Sequence, residues 1–243
     1  MLKALLWDVD GTLAETERDG HRVAFNQAFE AMQVPWRWDE RRYGELLAVT
    51  GGRERLLHDM QSQSLGPADE TERLALAGSL HRLKNEHYAR IVEDKGIALR
   101  DGVLELMDEC LHDEILMGIV TTTSRANVQA LLAAHLGGSW QSRFAVVVCG
   151  EDAPLKKPHP QAYRMALQAL ALPPRHTLAI EDSPAGVSAA RAAGVAVVVT
   201  RSHYFAEPTV PGATGGRPFT GFRRGVRGGR LNRLYGRGQY GRS

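Results

Sequence analysis

The sequence has little of what would place it outside ordinary globular proteins. It has two cysteines in 243 residues, so we expect no disulfide framework and predict a reducing compartment, the cytoplasm. It has no run of eighteen apolar residues, so it predicts no transmembrane helix. Asp8 interrupts the apolar N-terminal stretch, and we therefore expect no secretory signal core there.

Acidic residues are missing from the segment 212–243, which carries eight arginines. The other 211 residues hold 22 Lys and Arg against 28 Asp and Glu, so the body of the chain is mildly acidic. Residues 208–243 are rich in Gly and Arg and show little periodicity, which predicts a disordered tail. A single-stranded RNA-binding segment is one interpretation of this tail. We favour an inert tail or a shifted reading frame, with no nucleic-acid partner.

Five short apolar runs alternate with segments of helical periodicity. The runs are residues 2–9, 115–120, 144–149, 177–180 and 195–200. Continuous apolar runs are typical of strands buried on both faces, and their alternation with helices indicates a parallel sheet. We therefore predict an α/β fold whose core is a Rossmann-like, doubly wound sheet formed by residues 1–15 and 92–207.

The interval between the first two runs is too long for one crossover connection. Residues 16–91 fill it with helical patterns, for example apolar residues at Phe25, Phe29 and Met32. Ligands in open α/β sheets bind beyond the carboxyl ends of the strands. We therefore predict that residues 16–91 form an inserted helical cap domain that acts as a lid.

Four polar motifs each follow a predicted strand. They are Asp8-Val9-Asp10-Gly11-Thr12, Thr121-Thr122-Thr123, Lys156-Lys157-Pro158 and Glu181-Asp182-Ser183. Each motif alone also fits an ordinary turn or helix cap. Two carboxylates at a strand end repel each other unless a cation or a proton lies between them, and Mg²⁺ prefers carboxylate, water and phosphate oxygens. The first motif therefore suggests Mg²⁺-assisted phosphoryl transfer, in which one carboxylate attacks phosphorus and the other moves a proton.

The order of the four motifs resembles that of the haloacid dehalogenase-like phosphohydrolase superfamily, whose members carry a helical cap after the first motif. Residues 180–194 are similar to the branch that includes β-phosphoglucomutase and phosphoglycolate phosphatase. The resemblance implies that Asp8 is the nucleophile, which becomes an aspartyl-phosphate. It implies that Asp10 protonates the leaving group and later activates water, while Thr121 and Lys157 hold the phosphoryl oxygens.

The same resemblance implies a Mg²⁺ cofactor. Its expected ligands are Asp8, the Asp10 carbonyl and Asp182, with Glu181 beside them. Positive charge from the metal and from the lysine of the third motif would neutralise the equatorial oxygens of the transferred group.

The cap carries a second set of polar residues. Gly51 and Gly52 would let backbone N–H groups approach an anion that Arg53 grips, although an ordinary helix start with exposed arginines is the alternative. Together with residues 15–17 and 36–39, this segment is similar to the CbbY-type sugar-bisphosphate phosphatases, with Arg53 in place of the usual lysine.

That branch implies dephosphorylation of xylulose 1,5-bisphosphate, an inhibitory by-product in carbon fixation. The residues expected to bind substrate are Glu17, Thr50, Gly51, Gly52, Arg53, Lys84, Thr122 and Arg125. The weaker candidates are His21, His81 and Asn127.

Several functions stay open at this point. A phosphoglycolate phosphatase, or a phosphomutase like β-phosphoglucomutase, would use the same four motifs. An RNA-binding protein that acts through its tail is a more remote alternative. A signalling receiver also has strand-end acids and a late lysine, but it lacks the cap. We expect a small sugar phosphate as the partner, no membrane association, and a monomer.

Overall fold

The structure, a computed structural model, describes residues 1–206 and, within them, every side chain but that of Lys95. The predicted tail at 208–243 lies outside the described residues. The strands are β1 (Ala4–Trp7), β2 (Leu116–Val120), β3 (Val146–Val148), β4 (Thr177–Glu181) and β5 (Ala196–Val199). All neighbouring pairs are parallel and the order is β3-β2-β1-β4-β5. The predicted doubly wound parallel sheet is confirmed.

Eight α-helices lie in the described part of the chain, joined by one π-helical turn at Glu17–His21 and two 3₁₀ turns at Trp140–Arg143 and Pro174–His176. The helices are α1 (Arg22–Ala31), α2 (Glu40–Leu46), α3 (Gly52–Ser62), α4 (Glu70–Lys95), α5 (Val103–His112), α6 (Arg125–Leu136), α7 (Gln161–Leu170) and α8 (Pro184–Ala192). Within residues 1–206, no helix combines the length and the apolarity that crossing a bilayer requires.

Helices cover both faces of the sheet because the strands are apolar on both sides. Leu5 and Trp7 point to the face that α5 and α6 cover, whereas Leu6 points to the face covered by α7 and α8. Helix α8 starts as expected. Ser183 is its N-cap and accepts the Gly186 N–H with its Oγ at 3.1 Å, and Pro184 is the first helical residue. This sheet fixes the carboxyl ends of β1, β2 and β4 side by side.

Helices α1 to α4 have an apolar core of their own, between residues 25 and 80. Helix α4 runs past the boundary expected at residue 91, because Ile91 and Val92 continue its buried face against Ala24, and it ends before Gly96, whose φ is +61°. We therefore propose that the cap domain comprises residues 16–95.

Two linkers join the cap to the sheet, and they lie against each other. The Arg100 N–H donates to the Leu13 carbonyl at 2.8 Å, and Ala14 and Leu99 form an antiparallel bridge. These contacts place the mouth of the cap directly over the end of β1.

The chain after β5 also returns to the cap. The rings of Tyr204 and Tyr43 lie 5.9 Å apart, and Tyr204 and Phe205 both pack against the apolar core of the cap. This third connection was not expected from the sequence, which assigned these residues to the sheet domain alone.

Candidate active site

The first motif begins where β1 stops. The strand ends at Trp7, and the Asp8 N–H donates to the Ile180 carbonyl at 3.1 Å. Strand alternation therefore does not position the two aspartates of this motif, as a longer strand would have done. Instead the chain turns at Gly11, whose φ is +78°, and a Cβ there would collide with the Asp182 carboxylate. Glycine brings the first and fourth motifs into contact.

Lys157 lies at the centre of a buried network of charges. Its ammonium donates to Asp8 Oδ1 at 2.7 Å, to Glu181 Oε1 at 2.6 Å and to the Val120 carbonyl at 2.8 Å. The Tyr163 hydroxyl adds a further bond to Glu181 Oε1 at 2.5 Å. The lysine therefore has all three hydrogens engaged, and removing it would leave two carboxylates buried without their cation.

Negative charge exceeds positive charge at this strand edge. Burial raises the pKa of Asp8 to about 8, with the Glu181 carboxylate acting in the same direction and the Lys157 ammonium against it. Burial likewise raises the pKa of Asp182 well above its usual range. The cluster thus holds three carboxylates, and the one ammonium is bonded to two of them, Asp8 and Glu181.

These three carboxylates fit a divalent cation. Oxygens of Asp8, Glu181 and Asp182 all lie within 4.8 Å of one another, and Glu181 Oε2 is buried without a hydrogen-bond partner among the described residues. The donors are all hard oxygens, which suits Mg²⁺. The expected ligands Asp8 and Asp182 are thus together, with Glu181 beside them. The Asp10 carboxylate is bonded elsewhere, which leaves its carbonyl as the ligand that the resemblance implies.

Asp10 has a separate environment. Its Oδ1 accepts the Thr16 hydroxyl at 2.5 Å and lies 2.8 Å from His21 Nε2. Burial alone would raise the pKa of Asp10, but His21, Thr16 and the nearby Lys84 lower it to about 2. His21 itself stacks on Tyr88, with ring centroids 4.2 Å apart. His21 was a weaker candidate because a lone histidine on a cap helix is usually packed or solvated. The π-helical turn at Glu17–His21 instead brings it to Asp10.

The second motif is placed at the end of β2 as expected. Thr121 is buried, and its Oγ1 accepts the Thr123 N–H at 3.1 Å, which leaves its own hydroxyl hydrogen to donate. Thr122 lines the site directly. Arg125 is not brought to the site, because its guanidinium donates to Asp152 Oδ2 at 2.5 Å and its side chain is 52% exposed.

Two cavities meet at Asp10. The larger, about 510 Å³, reaches Asp8, Lys157 and Asp182. On its far side it has a largely apolar wall, formed by Leu47, Ala48, Pro184, Ala185 and Phe205. The smaller, about 390 Å³, lies between the cap and the loops after β2 and β3. The two cavities share Asp10, Glu17, Arg55 and Thr122.

The smaller cavity carries an excess of unpaired cations. Arg53, Arg82 and Lys84 line it, and none of them forms an ion pair with a carboxylate of residues 1–206 within 4.0 Å. Gly51 and Gly52 lie beside them, as expected from the sequence. This wall can therefore balance an anion.

Burial lowers the pKa of two titratable groups that line the smaller cavity, Lys84 and His81. Burial lowers the pKa of Lys84 to about 8, against the pull of Asp10 and Glu17. Burial, Lys84 and His21 lower the pKa of His81 to about 4. His81 is therefore neutral near pH 7, so its ring contributes shape and not charge. Asn127, the remaining weak candidate, bonds Asn85 Oδ1 at 3.1 Å at the edge of the same cavity.

The sequence missed one buried network beside the cavity. Arg55 Nη1 donates to the Tyr43 hydroxyl at 2.9 Å, and that hydroxyl donates to Glu17 Oε2 at 2.5 Å. The helical periodicity of α3 indicates this network, because Arg55 lies one turn from Asp59 on the buried face of the helix, whereas Arg53 is exposed and lines the smaller cavity. Glu17 is thus held rigidly where the two cavities meet.

Comparisons with known proteins agree with this geometry. Residues 2–194 match the family model of the haloacid dehalogenase-like hydrolases. Protein CbbY of Rhodobacter capsulatus is 44% identical over 203 residues, which are 84% of this chain and 87% of that protein. A crystal structure of a CbbY mutant from Rhodobacter sphaeroides in complex with xylulose-(1,5)bisphosphate is similar, with a TM-score of 0.81 and 38% identity over 88% of this chain and 92% of that chain. β-Phosphoglucomutase from Clostridium difficile shares the fold, with a TM-score of 0.68 and 20% identity over 84% of this chain and 87% of that one.

Proposed function

The chain belongs to the haloacid dehalogenase-like hydrolase family, and from this premise we propose that it is a Mg²⁺-dependent phosphatase whose substrate is xylulose 1,5-bisphosphate. The observation that carries the proposal is the pair of contrasting aspartates at one strand end. Asp8 is bonded to the Lys157 ammonium, and Asp10 is bonded to Thr16 and His21. This contrast supports an attacking role for Asp8 and a proton-transfer role for Asp10.

Asp8 is the proposed nucleophile. Lys157 holds its Oδ1 at 2.7 Å, so the carboxylate is oriented and its second oxygen can attack phosphorus in line to give an aspartyl-phosphate. The residues that would hold Mg²⁺ are Asp8, Asp182 and the Asp10 carbonyl, beside Glu181. When bound, Mg²⁺ supplies positive charge that favours the ionised nucleophile and neutralises the phosphoryl oxygens. Lys157 and Thr121 add a cation and a hydrogen-bond donor on the same group.

Asp10 is the proposed acid and base. In the second step it takes a proton from the water that attacks the aspartyl-phosphate, and the low pKa of about 2 keeps it ionised for that role. In the first step it must carry a proton for the leaving oxygen. Its Oδ1 contacts the Thr16 hydroxyl and lies 2.8 Å from His21 Nε2.

The cavities support a substrate with two anionic ends. The group to be transferred would lie against Asp8, and the remote phosphate against Arg53, Lys84 and Arg82. A relative binds xylulose bisphosphate, as its crystal structure records. Binding energy from the remote end would keep the cap closed and exclude water from the reacting end.

The test is phosphate release from a panel of substrates, with and without Mg²⁺. The matched pair is xylulose 1,5-bisphosphate and xylulose 5-phosphate, with phosphoglycolate and β-glucose 1-phosphate alongside. We expect kcat/KM for the bisphosphate to exceed that for the monophosphate by about tenfold to a hundredfold, because a charged hydrogen bond contributes about 1.5–3 kcal/mol. Equal rates on the pair, or a preference for phosphoglycolate, would reject the bisphosphate. Formation of glucose 6-phosphate without phosphate release would identify a mutase.

A further inference from the structure

The loop that carries Lys157 is bonded to the cap on its outer side. The Thr50 hydroxyl, just before α3, donates to the backbone carbonyl of Lys157. This carbonyl is followed by Pro158, which has no N–H, and the nearest local backbone bond joins the Lys156 carbonyl to the His159 N–H. The carbonyl of the lysine whose ammonium binds Asp8 is therefore bonded to a side chain of the cap.

A second polar contact lies beside the first. Lys156 Nζ donates to carbonyls of its own loop, at Gly150 and at Ala153, and lies 3.9 Å from Glu54 Oε1 in the cap. Glu54 in turn folds back onto the start of α3, since a Cβ at Gly51 would collide with its carboxylate. Cap residues 50–54 and loop residues 156–157 thus meet at two points.

The two ends of Lys157 are held by different parts of the molecule. Its ammonium is fixed by the sheet domain, through Asp8, Glu181 and the Val120 carbonyl. Its own carbonyl accepts the Thr50 hydroxyl, which is in the cap, while the preceding Lys156 carbonyl accepts the His159 N–H at 2.9 Å within the loop. When the cap opens, the bonds of the ammonium can persist while the backbone loses its anchor.

We propose that Thr50 is a positioning residue that fixes the Lys157 loop when the cap closes, so that phosphoryl transfer to Asp8 is coupled to closure. The expected effect of Thr50 on kcat rests on the proposed phosphatase function. It differs from the role expected from the sequence, which placed Thr50 in contact with substrate. The hydroxyl hydrogen is used on Lys157, so losing it should impair every substrate equally, whatever the substrate's remote end carries.

The variants are Thr50→Val, which removes the hydroxyl at nearly constant shape, Thr50→Ser, which keeps it, and Thr71→Val, an exposed cap threonine, as the matched control. With Mg²⁺, each is assayed on xylulose 1,5-bisphosphate and on p-nitrophenyl phosphate. We expect Thr50→Val to lower kcat about tenfold on both substrates, since one hydrogen bond of typical strength is lost, with KM changed less than about twofold. Thr50→Ser and Thr71→Val should stay within about twofold of the wild type.

Three kinetic results would overturn the proposal. Unchanged turnover by Thr50→Val, a loss confined to KM for the bisphosphate, and failure of Thr50→Ser to restore kcat each reject it. A loss confined to KM for the bisphosphate would show instead that Thr50 contacts the substrate, as expected from the sequence. If Thr50→Val does not fold, Thr50→Ala removes the same hydroxyl, and an unchanged kcat in that variant rejects the proposal in its place.

Hydrogen exchange separates this idea from the phosphatase function. In the ligand-free protein, amides of residues 150–157 should exchange several-fold faster in Thr50→Val than in Thr71→Val, because the loop has lost its cap anchor. Equal exchange rejects the positioning role even if the enzyme is an active phosphatase. Faster exchange in Thr50→Val, together with a wild-type protein that releases no phosphate, rejects the phosphatase function and leaves the anchoring role of Thr50 standing.

Discussion

Charged side chains are paired on the sheet side of the site, whereas two arginines on its cap side are unpaired within the described residues. On the sheet side, Lys157 and Glu181 are almost fully buried and bonded to each other. On the cap side, Arg53 and Arg82 are exposed and have no carboxylate within ion-pair distance in residues 1–206. The sheet side is thus organised before substrate arrives, whereas these two arginines of the cap are balanced only when an anion binds. On the proposed function, the difference teaches that reaction chemistry and substrate choice are carried by separate parts of the chain.

The strongest test of the sheet side is Asp8→Asn. It removes the attacking oxygen, so we expect phosphate release to fall by about 10³-fold or more. Stability should not fall. The folded pKa of about 8 lies above the unfolded value of 3.8, so ionising this group destabilises the fold as pH rises from about 4 to 8. Thermal unfolding in metal-free buffer at pH 7 should therefore give a Tm at least equal to that of the wild type.

A wild-type turnover rate in Asp8→Asn would contradict the nucleophile assignment. A sharply lower Tm would show instead that the fold is stable only when the Lys157 ammonium is bonded to both the Asp8 and the Glu181 carboxylates. Either result would break the contrast between a pre-organised sheet side and a substrate-dependent cap side.

Arg53→Ala tests the cap side, with a smaller effect. We expect kcat/KM for xylulose 1,5-bisphosphate to fall about tenfold to a hundredfold and that for xylulose 5-phosphate to fall less than about threefold, since only the former presents the remote phosphate. The measurement is the ratio of the two values. The matched control is Arg90→Ala, an exposed arginine of α4, which should leave the ratio unchanged. Equal losses of kcat/KM on both substrates would contradict the hypothesis that Arg53 binds the remote phosphate.

The smallest expected effect concerns pH. Burial lowers the pKa of Lys84 to about 8, while Asp10 and Glu17 oppose this and Arg55 adds to it. Above that pH the ammonium loses its proton, so KM for the bisphosphate should rise about threefold between pH 7 and pH 9. In Lys84→Arg the charge persists, and the rise should disappear. The same rise in both proteins would assign it to another group.

The sheet and the sheet side of the site were largely predictable from the sequence. Buried parallel strands are continuous apolar runs, and polar residues after them must meet at one edge, which placed Asp8, Lys157 and Asp182 together. The contact of His21 in the cap was less predictable because it comes from a π-helical bend that no periodicity indicates. On the sheet side, Arg125 of α6 likewise turns away to an acid that follows β3. Such contacts depend on tertiary geometry more than on local pattern.

The returning segment after β5 has a practical consequence for protein engineering. Phe205 forms part of the apolar wall of the larger cavity, and Tyr204 packs on Tyr43, although both follow the last strand. A chimera that grafts the lid of one relative onto the base of another would have to transplant these two aromatic residues along with it. Otherwise the hybrid would combine mismatched surfaces at a seam about one hundred residues downstream of the graft.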